Sequence, residues 1–300
     1  MQYGNLNVDE RYSSIVEPNL YSDNILEPGV TYNTEFQGDA NSGLVKVYKQ
    51  KSDGPTNPTT PAGDFDDSNA ENELIDLRLN NSFRKSKKIY KVQANAVNYQ
   101  LADETFSTAI SDVKEGYQAA GVACLATEGI ALTDKTAITK TNVKKVVLDA
   151  RKALRKKKAK ADVVFASVDV FTAMLEAAGD QFTPAKNDEM IATGQVGYWL
   201  GMKWYEANAT ENTAAEYYDH AGTKHKVDLT GIDFIMYDHR FFSIVDNLEE
   251  MRIIDSERFV GSLAQIEINA GFRVTTNDAV SVKVNKDLEK APDPADNGQA

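Results

Sequence analysis

Cysteine and histidine are scarce in this sequence of 300 residues. Cys124 is the only cysteine, and the histidines are His220, His225 and His239. One thiol can form neither a disulfide within the chain nor a thiolate zinc cluster, so we expect a reducing, cytosolic origin. The histidines lack a His-Glu-x-x-His pattern, so no metal site is predicted. His220 and His225 lie in a polar stretch and are expected to be solvated.

Long hydrophobic runs are also absent. Nowhere does the sequence keep the roughly 18 consecutive apolar residues that a membrane-spanning helix needs. The first ten residues have neither the basic start nor the apolar core of a secretory signal. We therefore expect a soluble chain with no export and no membrane contact.

Catalytic signatures are missing as well. Gly194, Gly197 and Gly201 lack the Gly-Lys-Ser/Thr ending of a phosphate loop, and no G-x-S-x-G elbow occurs. The acidic stretch that starts at Asp64 lacks the glycine and glutamate of a calcium loop, and Cys124 is expected to be a small core residue. We predict no catalytic, cofactor-binding or metal-binding residue and no cofactor. A small soluble α/β enzyme stays an alternative, because an acid and a base distant in sequence can meet in the fold.

Charge is the strongest signal that the sequence does carry. The net charge is −12, which argues against a general nucleic-acid binder. Residues 140–160 nevertheless hold ten cations against Asp149, a local net of 10 − 1 = +9, so the remaining chain carries −12 − 9 = −21. Thr141 is expected to cap a helix that continues to about Lys158. Its predicted buried face consists of Val143, Val147, Ala150 and Leu154.

Two interpretations of this basic helix stay open. In the first, the helix faces nucleic acid and contacts phosphates without reading bases, as in salt-dependent, sequence-independent binding. In the second, it is a solvated helix whose lysines pair with acidic neighbours. The candidate contact residues are Lys152, Arg155, Lys156, Lys157 and Lys158.

The first half of the chain shows an arm, two strands and a long helix. Residues 1–38 form a polar arm that is expected to be disordered or ordered by a neighbour. Strands are predicted at 43–51 and 73–80, separated by a proline-containing, acidic excursion. A long amphipathic helix follows over 98–126, and Gly116 and Gly121 are expected to weaken it, with a kink or a break.

The second half alternates helices and strands. We predict a strand over 162–167 and a helix that Gly179 ends. Buried helix positions are expected at Val170, Phe171, Met174, Leu175 and Ala178. The remaining predicted segments are a loop at 181–195, a glycine turn leading into a strand that ends near 208, a polar insertion at 209–226, buried strands at 232–237 and 241–245, a long alternating strand at 264–275, a turn at 276–278 and an alternating strand at 280–284.

This order of elements resembles the major capsid proteins of tailed phages, which have the Hong Kong 97-type fold. The most family-like piece is Val163-Val164-Phe165-Ala166-Ser167 with its helix, followed by the run from Gly194 to Glu206. The resemblance implies an α+β subunit with five parts. These are an N-terminal arm at 1–38, an extended hairpin loop at 39–95, a peripheral domain at 96–160 and 247–286 with a long spine helix, an axial domain at 161–246 and a flexible tail at 287–300.

The resemblance also implies a function. The chain would assemble with itself into hexamers and pentamers of an icosahedral shell around double-stranded phage DNA, without enzymatic activity. Its implied partners are the portal, a separate scaffold protein and the packaged DNA. Its implied location is the virion, after assembly in the host bacterial cytoplasm. An encapsulin-like compartment shell, which would need a cargo-binding pocket, is the alternative within the same fold.

Overall fold

The computed structural model describes residues 24–36, 43–50, 52, 71–92, 101–179, 183–184, 195–246 and 250–286. Several predicted features lie outside these residues: the first part of the arm, most of the excursion that contains Asp64, most of the 181–195 loop with Gly194, and the tail after 286. In the described part of the chain, no helix is long and apolar enough to cross a bilayer.

Helices and strands alternate along the chain, so the prediction of a mixed α and β protein is confirmed. The α-helices are α1 (Leu101–Glu128), α2 (Val143–Lys156) and α3 (Val168–Ala178). The strands are β1 (Leu44–Gln50), β2 (Asn72–Arg78), β3 (Asn81–Tyr90), β4 (Ile130–Ala131), β5 (Val163–Ala166), β6 (Thr183–Pro184), β7 (Gln195–Trp199), β8 (Met202–Glu206), β9 (Ala215–Tyr218), β10 (Lys224–Val227), β11 (Ile232–Tyr237), β12 (Phe242–Asp246), β13 (Glu250–Asp255), β14 (Gly261–Val274) and β15 (Val280–Val284).

A seven-stranded mixed sheet forms the centre of the fold, in the order β4-β15-β11-β5-β8-β7-β6. Its strands alternate between two apolar cores. Phe165 and Ile235 point into the core that contains the C-terminal half of α1, whereas Val164 and Phe234 point into the core shared with α2 and α3. Helices therefore cover both faces, which explains why β5 and β11 are almost continuously apolar.

A second sheet is built around the long strand β14. β12 and β13 pair with its two halves along one edge, and β3 pairs with it along the other edge over ten residues. Side chains of β14 from Ala264 to Val274 alternate between buried and partly exposed positions, as the sequence predicts. The buried side, including Ile266 and Phe272, packs against α1.

Residues 24–36 of the arm are part of the chain's own core. Ile25, Leu26 and Tyr32 are buried, and the backbone N–H of Asn33 donates to the carbonyl of Phe242 at 2.7 Å. For this segment the prediction of disorder or dependence on a neighbour is wrong. Its few apolar residues are enough because Gly121 of α1 provides the space that Leu26 fills: a Cβ there would lie 2.9 Å from Leu26 Cδ1.

The two-stranded hairpin of β1 and β2 matches the two strands predicted there. The strands pair antiparallel from Leu44 opposite Arg78 to Gln50 opposite Asn72. The base of the hairpin crosses β14 at Gly271, where any Cβ would lie 2.3 Å from the carbonyl oxygen of Arg78. Glycine is needed at this position because two backbones approach each other closely.

The helices and turns agree with the sequence predictions in part. α1 continues without a break through Gly116 and Gly121, because tertiary packing outweighs their weak helix propensity. Gly179 ends α3 with a φ of +46°, as predicted, but Leu175 is 39% exposed and does not join the core. The two-residue turn between β7 and β8 has positive φ at both Leu200 and Gly201, the pattern of a type I′ hairpin.

The structure differs from the sequence predictions at three further places. β15 does not form a hairpin with β14 but crosses to the seven-stranded sheet through a 3-10 turn at Asn277–Ala279, and Lys283 is fully buried. The polar insertion at 209–226 is partly folded, since its strands β9 and β10 pair and bury Tyr217. β3 was missed because its ten mostly polar residues carry no strand periodicity that differs from a loop.

Candidate nucleic-acid interface

Helix α2 is anchored by the four residues predicted from its periodicity. Val143, Val147, Ala150 and Leu154 are the buried residues of the helix, and they pack in one core with α3, β5 and β11. At 3.6 residues per turn, each residue advances by about 100° around the axis. Lys145, Lys152 and Lys156 consequently lie on the side opposite this stripe, directed away from the sheet.

The first turn of α2 differs from the prediction. Asn142, not Thr141, occupies the N-cap position, and its side chain does not cap the helix. Instead its Oδ1 accepts from the N–H of Thr139 at 2.7 Å, and its Nδ2 donates to the carbonyl of Ala137 at 2.9 Å. The asparagine thus fixes the loop that enters the helix.

The last turn holds the basic residues in a defined conformation. The N–H of Ala159 donates to the carbonyl of Leu154, and the N–H of Lys158 donates to that of Arg155. These two bonds form a Schellman motif, in which Lys158 adopts a φ of +66°. Arg155, Lys156 and Lys157 also lie at the negative end of the helix dipole, which favours cations.

The predicted contact residues share their exposure but differ in their pairing. All five, Lys152, Arg155, Lys156, Lys157 and Lys158, are exposed. Among the residues that the structure describes, only Lys157 has an acidic partner, Asp278, at 2.7 Å. Within the described residues the other four have no such partner, so the interpretation in which the lysines pair with acidic neighbours finds no support for them there. The side chains of these four form a cationic surface without an ion-pair partner in the described part of the chain.

Lys145 belongs to the same surface and was missing from the predicted set. It is exposed and lies about two turns before Lys152 on the same side of α2. The same helical periodicity that predicts the buried stripe places Lys145 on the opposite side of α2. The predicted set contains only the dense run of cations near the C-terminal end of the helix and therefore omits it.

Such a surface can attract phosphate groups but cannot read bases. Its donors are flexible ammonium groups and one guanidinium on a convex helix. Phosphate neutralisation by such groups releases counterions and depends steeply on salt. The arrangement suits sequence-independent contact with a polyanion.

The histidines are engaged in local contacts. His225 stacks on Tyr217 and lies 2.9 Å from Asp219 Oδ2, so the prediction that it is solvated is wrong. Burial lowers the pKa of His220, and nearby Arg273 lowers it further. His239 Nδ1 lies 2.5 Å from Asp162 Oδ2.

Asp162, Asp238 and His239 bring their ligand atoms within 4.8 Å of one another. Burial acts to raise the pKa of Asp238, but the Arg240 side chain and two backbone N–H groups lower it below its usual range. Both oxygens of Asp238 accept from Arg240, and those of Asp162 contact His239. The cluster is an ion-pair network whose oxygens are already used, so we assign no metal to it.

Three carboxyl groups have a raised pKa because of burial: Glu128, Asp233 and Asp246. Glu128 accepts from the N–H of Val274 at 2.7 Å, and Tyr117 lies 3.4 Å from Asp246. None of the three lines the surface grooves at β3, at the β13–β14 turn or beside α1. Their hydrogen-bond partners hold the fold together, and none of the three carboxyl groups faces one of these grooves.

The comparisons identify the fold. No protein-family model matches the sequence, and no curated protein matches it. A solved structure from Mycobacterium phage Che8 has a TM-score of 0.67 at 15% identity, covering 94% of this chain and 98% of that chain. The capsid structure of the cyanophage P-SCSP1u has a TM-score of 0.64 at 11% identity, covering 93% of both chains. The capsid of Ralstonia phage GP4 has a TM-score of 0.61 at 9% identity, covering 98% of both.

These similarities extend over almost the whole length of each pair of chains. The chain therefore has the fold of phage capsid structures, and the resemblance stated from its sequence is confirmed at the level of fold. At identities of 9% to 15% the similarity lies in architecture and not in individual side chains.

Proposed function

We propose that this chain is a major capsid protein that assembles with itself into the icosahedral head shell around phage double-stranded DNA. The observation that carries the proposal is end-to-end similarity to solved phage capsid structures, with more than 90% of both chains covered in the examples above. An encapsulin-like shell or a small α/β enzyme is less favoured, because the similar structures named above come from phages.

The proposal includes a division of the subunit into the parts of a Hong Kong 97-type protein. Residues 1–38 would be the N-terminal arm, 39–95 the extended loop, 96–160 with 247–286 the peripheral domain, 161–246 the axial domain and 287–300 the tail. α1 would be the spine helix. The proposed partners are other copies in hexamers and pentamers, the portal, a separate scaffold protein and the packaged DNA, and the proposed location is the virion.

Electron microscopy of the expressed protein tests the central claim. We expect closed or tubular shells, alone or after co-expression with a scaffold protein. A monodisperse monomer at every protein concentration, with and without scaffold, would contradict the proposal. Activity of such a monomer on a small substrate would instead favour the enzyme alternative.

We further propose that the exposed face of α2 lines the lumen and contacts DNA. The support is that Lys152, Arg155, Lys156 and Lys158 have no ion-pair partner among the described residues. Replacing Lys156, Lys157 and Lys158 by glutamine should leave the fold intact and reduce the DNA that particles retain. For every phosphate that the variant no longer binds, the slope of log K against log salt should fall by about 0.9.

A matched variant separates this effect from a general change in charge. Lys114, Lys224 and Lys226 are exposed lysines on α1 and on the β9–β10 hairpin, and their replacement by glutamine removes the same three charges. We expect this control to retain DNA like the unmodified protein. Equal DNA content in both variants would mean that α2 does not face the lumen.

A further inference from the structure

The side of α2 opposite its buried stripe carries a row of exposed cations. The row consists of Lys145, Lys152 and Lys156, and none of the three has an ion-pair partner among the described residues. Eleven positions separate the first from the last, so the row is roughly 17 Å long. Like charges in such a row repel one another, and an acidic segment that lay along it would relieve the repulsion.

Three stretches of the sequence outside the described residues are acidic. Residues 1–23 contain four acids and one cation, a net of 1 − 4 = −3. Residues 53–70 contain four acids and no cation, a net of −4. Residues 287–300, here named the tail segment, contain four acids and one cation, a net of 1 − 4 = −3. Charge alone therefore does not select among them, and the points at which they join the fold must.

The tail segment follows β15, which runs antiparallel to α2. Just before the start of β15, Asp278 binds Lys157 near the C-terminal end of α2, at 2.7 Å. Toward the end of the strand, Lys283 donates to the carbonyls of Asp134 and Thr136, in the loop that leads into α2. The chain therefore leaves β15 close to the N-terminal end of α2.

The other two acidic stretches join the fold elsewhere. Residues 1–23 lead into Ile25 and Leu26, which are buried in the core that contains α1, whereas α2 belongs to the core on the other face of the seven-stranded sheet. Residues 53–70 lie in sequence between β1 and β2, and the base of this hairpin crosses β14 at Gly271. Of the three stretches, the tail segment has the attachment point that suits the cationic row.

The tail segment is also long enough. Its fourteen residues can span at most roughly 46 Å. Eight residues of mostly extended chain, roughly 26 Å, separate Lys286 from Asp278, which lies beside the C-terminal end of α2. The segment can therefore reach every cation of the row. Because it is tethered, its effective concentration at α2 is of millimolar order, so individually weak ion pairs can keep it bound.

We propose that the tail segment lies along the exposed side of α2 in the absence of DNA and competes with DNA for its cations. Duplex DNA carries one charge per about 1.7 Å, far more densely than the tail segment, so packaged DNA displaces the segment. The segment thus limits binding of nucleic acid to α2 at low DNA concentration and not at the concentration inside a filled shell. This inference rests on the proposed function, because it takes DNA as the ligand of α2. The acids that supply the counter-charge are Asp287, Glu289, Asp293 and Asp296.

Binding of a labelled DNA duplex of mixed sequence to unassembled subunits, measured by fluorescence anisotropy, tests the competition. The tail variant combines Asp287→Asn, Glu289→Gln, Asp293→Asn and Asp296→Asn. It should bind about threefold more tightly, the factor expected if α2 is free for about a third of the time in the unmodified chain. The gain should be clear at about 50 mM salt and vanish near about 300 mM, where the ion pairs are screened. The matched control replaces four exposed glutamates by glutamine and should show no such gain: Glu73, Glu104, Glu211 and Glu257.

A double-mutant cycle separates this inference from the proposed function. Replacing Lys145, Lys152 and Lys156 by glutamine should weaken DNA binding and abolish the gain of the tail variant, because the two sets interact. An equal gain in both backgrounds would mean that the segment only repels DNA, which overturns the inference. Weaker binding of the lysine variant together with no gain from the tail variant overturns the inference and leaves the DNA contact standing. Unchanged binding of the lysine variant overturns the DNA contact, and the inference with it.

Zero-length carbodiimide cross-linking of the unmodified protein locates the segment directly, without any variant. Mass spectrometry should find links from acids of the tail segment to Lys145, Lys152 or Lys156 within one chain, and added DNA should reduce them. An equal mixture of isotope-labelled and unlabelled protein identifies the chain that supplies the segment. Links that join only different copies, or no links to α2 at all, would refute the inference.

Discussion

Removing the buried cation Lys283 should strongly destabilise the subunit. Its Nζ is completely shielded and donates to the carbonyls of Asp134 at 2.6 Å and Thr136 at 2.9 Å. Asp233 Oδ2 lies 3.8 Å away and has no hydrogen-bond partner, although Asp233 is only 5% exposed. Lys283→Met keeps the volume and removes the charge. A buried ion pair that loses one member typically costs about 3–5 kcal/mol.

Urea unfolding of unassembled subunits measures this loss. With an m value of about 3 kcal/mol per M, the expected cost lowers the unfolding midpoint by at least about 1 M. Domain stabilities are about 5–15 kcal/mol, so the variant would keep its fold with little margin. The m value should stay constant if only the native state is affected.

The loss of stability caused by Lys283→Met should also depend on pH, and the surroundings of Asp233 determine the direction of this dependence. Burial raises the pKa of Asp233, while Asn285 and Lys283 act to lower it. Without Lys283 the pKa of Asp233 rises further. A raised pKa in the folded state means that stability is highest when the carboxyl is protonated, and that it falls as the pH rises through that pKa. The difference between the two proteins should therefore be smaller at pH 4 than at pH 7.

Two variants control this prediction. Lys286→Met removes a lysine that binds Asp228 but is 49% exposed, and an exposed pair contributes about 1 kcal/mol or less. Adding Asp233→Asn to Lys283→Met removes the uncompensated charge and should recover part of the stability. A loss below about 1 kcal/mol for Lys283→Met, or the same loss at pH 4 and pH 7, would refute the assignment of Lys283 as the counter-charge of Asp233.

Two backbone positions give further predictions. Lys158→Gly should raise the melting temperature by about 2 °C, because a lysine with φ of +66° is strained by roughly 1 kcal/mol. The control Lys157→Gly should not raise it, because Lys157 has an ordinary φ of −90°. No gain from Lys158→Gly would contradict the Schellman geometry. Gly271→Ala should destabilise the subunit by more than about 1 kcal/mol in urea unfolding, because its Cβ would meet the carbonyl of Arg78 at 2.3 Å. Gly116→Ala, whose Cβ would lie 3.6 Å from Phe83, should be neutral or stabilising by up to about 1 kcal/mol.

Local periodicity predicted the elements that one segment determines by itself. The stripe of Val143, Val147, Ala150 and Leu154 matches the buried residues of α2, because the helical period depends only on neighbours in the chain. The alternation of β14 was predicted for the same reason. Gly179 was assigned correctly because a helix end has a local backbone requirement.

Pairings between distant segments could not be predicted in this way. Lys283 alternates with valines, which indicates that its side chain lies on the side of β15 opposite to theirs. The alternation does not indicate that the segment around Asp134 covers that side. β3 pairs with β14 across more than 170 positions, and its own residues contain no sign of that partner. The arm segment around Ile25 is buried because α1 offers a notch at Gly121. Each miss depends on a surface that another part of the chain supplies.

Two basic stretches of this acidic chain differ in how far folding pairs their cations. Residues 81–92 carry five cations and no acid, and residues 140–160 carry ten cations and one acid. In the first stretch, Lys85 and Lys87 bind Asp112, and Arg84 binds Glu267, so folding pairs three of the five cations.

In the second stretch, the described residues supply counter-charge to Lys140 and Lys157, through Glu176 and Asp278. Four of the five candidate contact residues keep their charge exposed. Repulsion among these unpaired cations destabilises the folded subunit. Binding of an external polyanion would remove this repulsion. The pairing state of the cations, and not their number in the sequence, therefore distinguishes the basic strand β3 from a surface that can attract a polyanion.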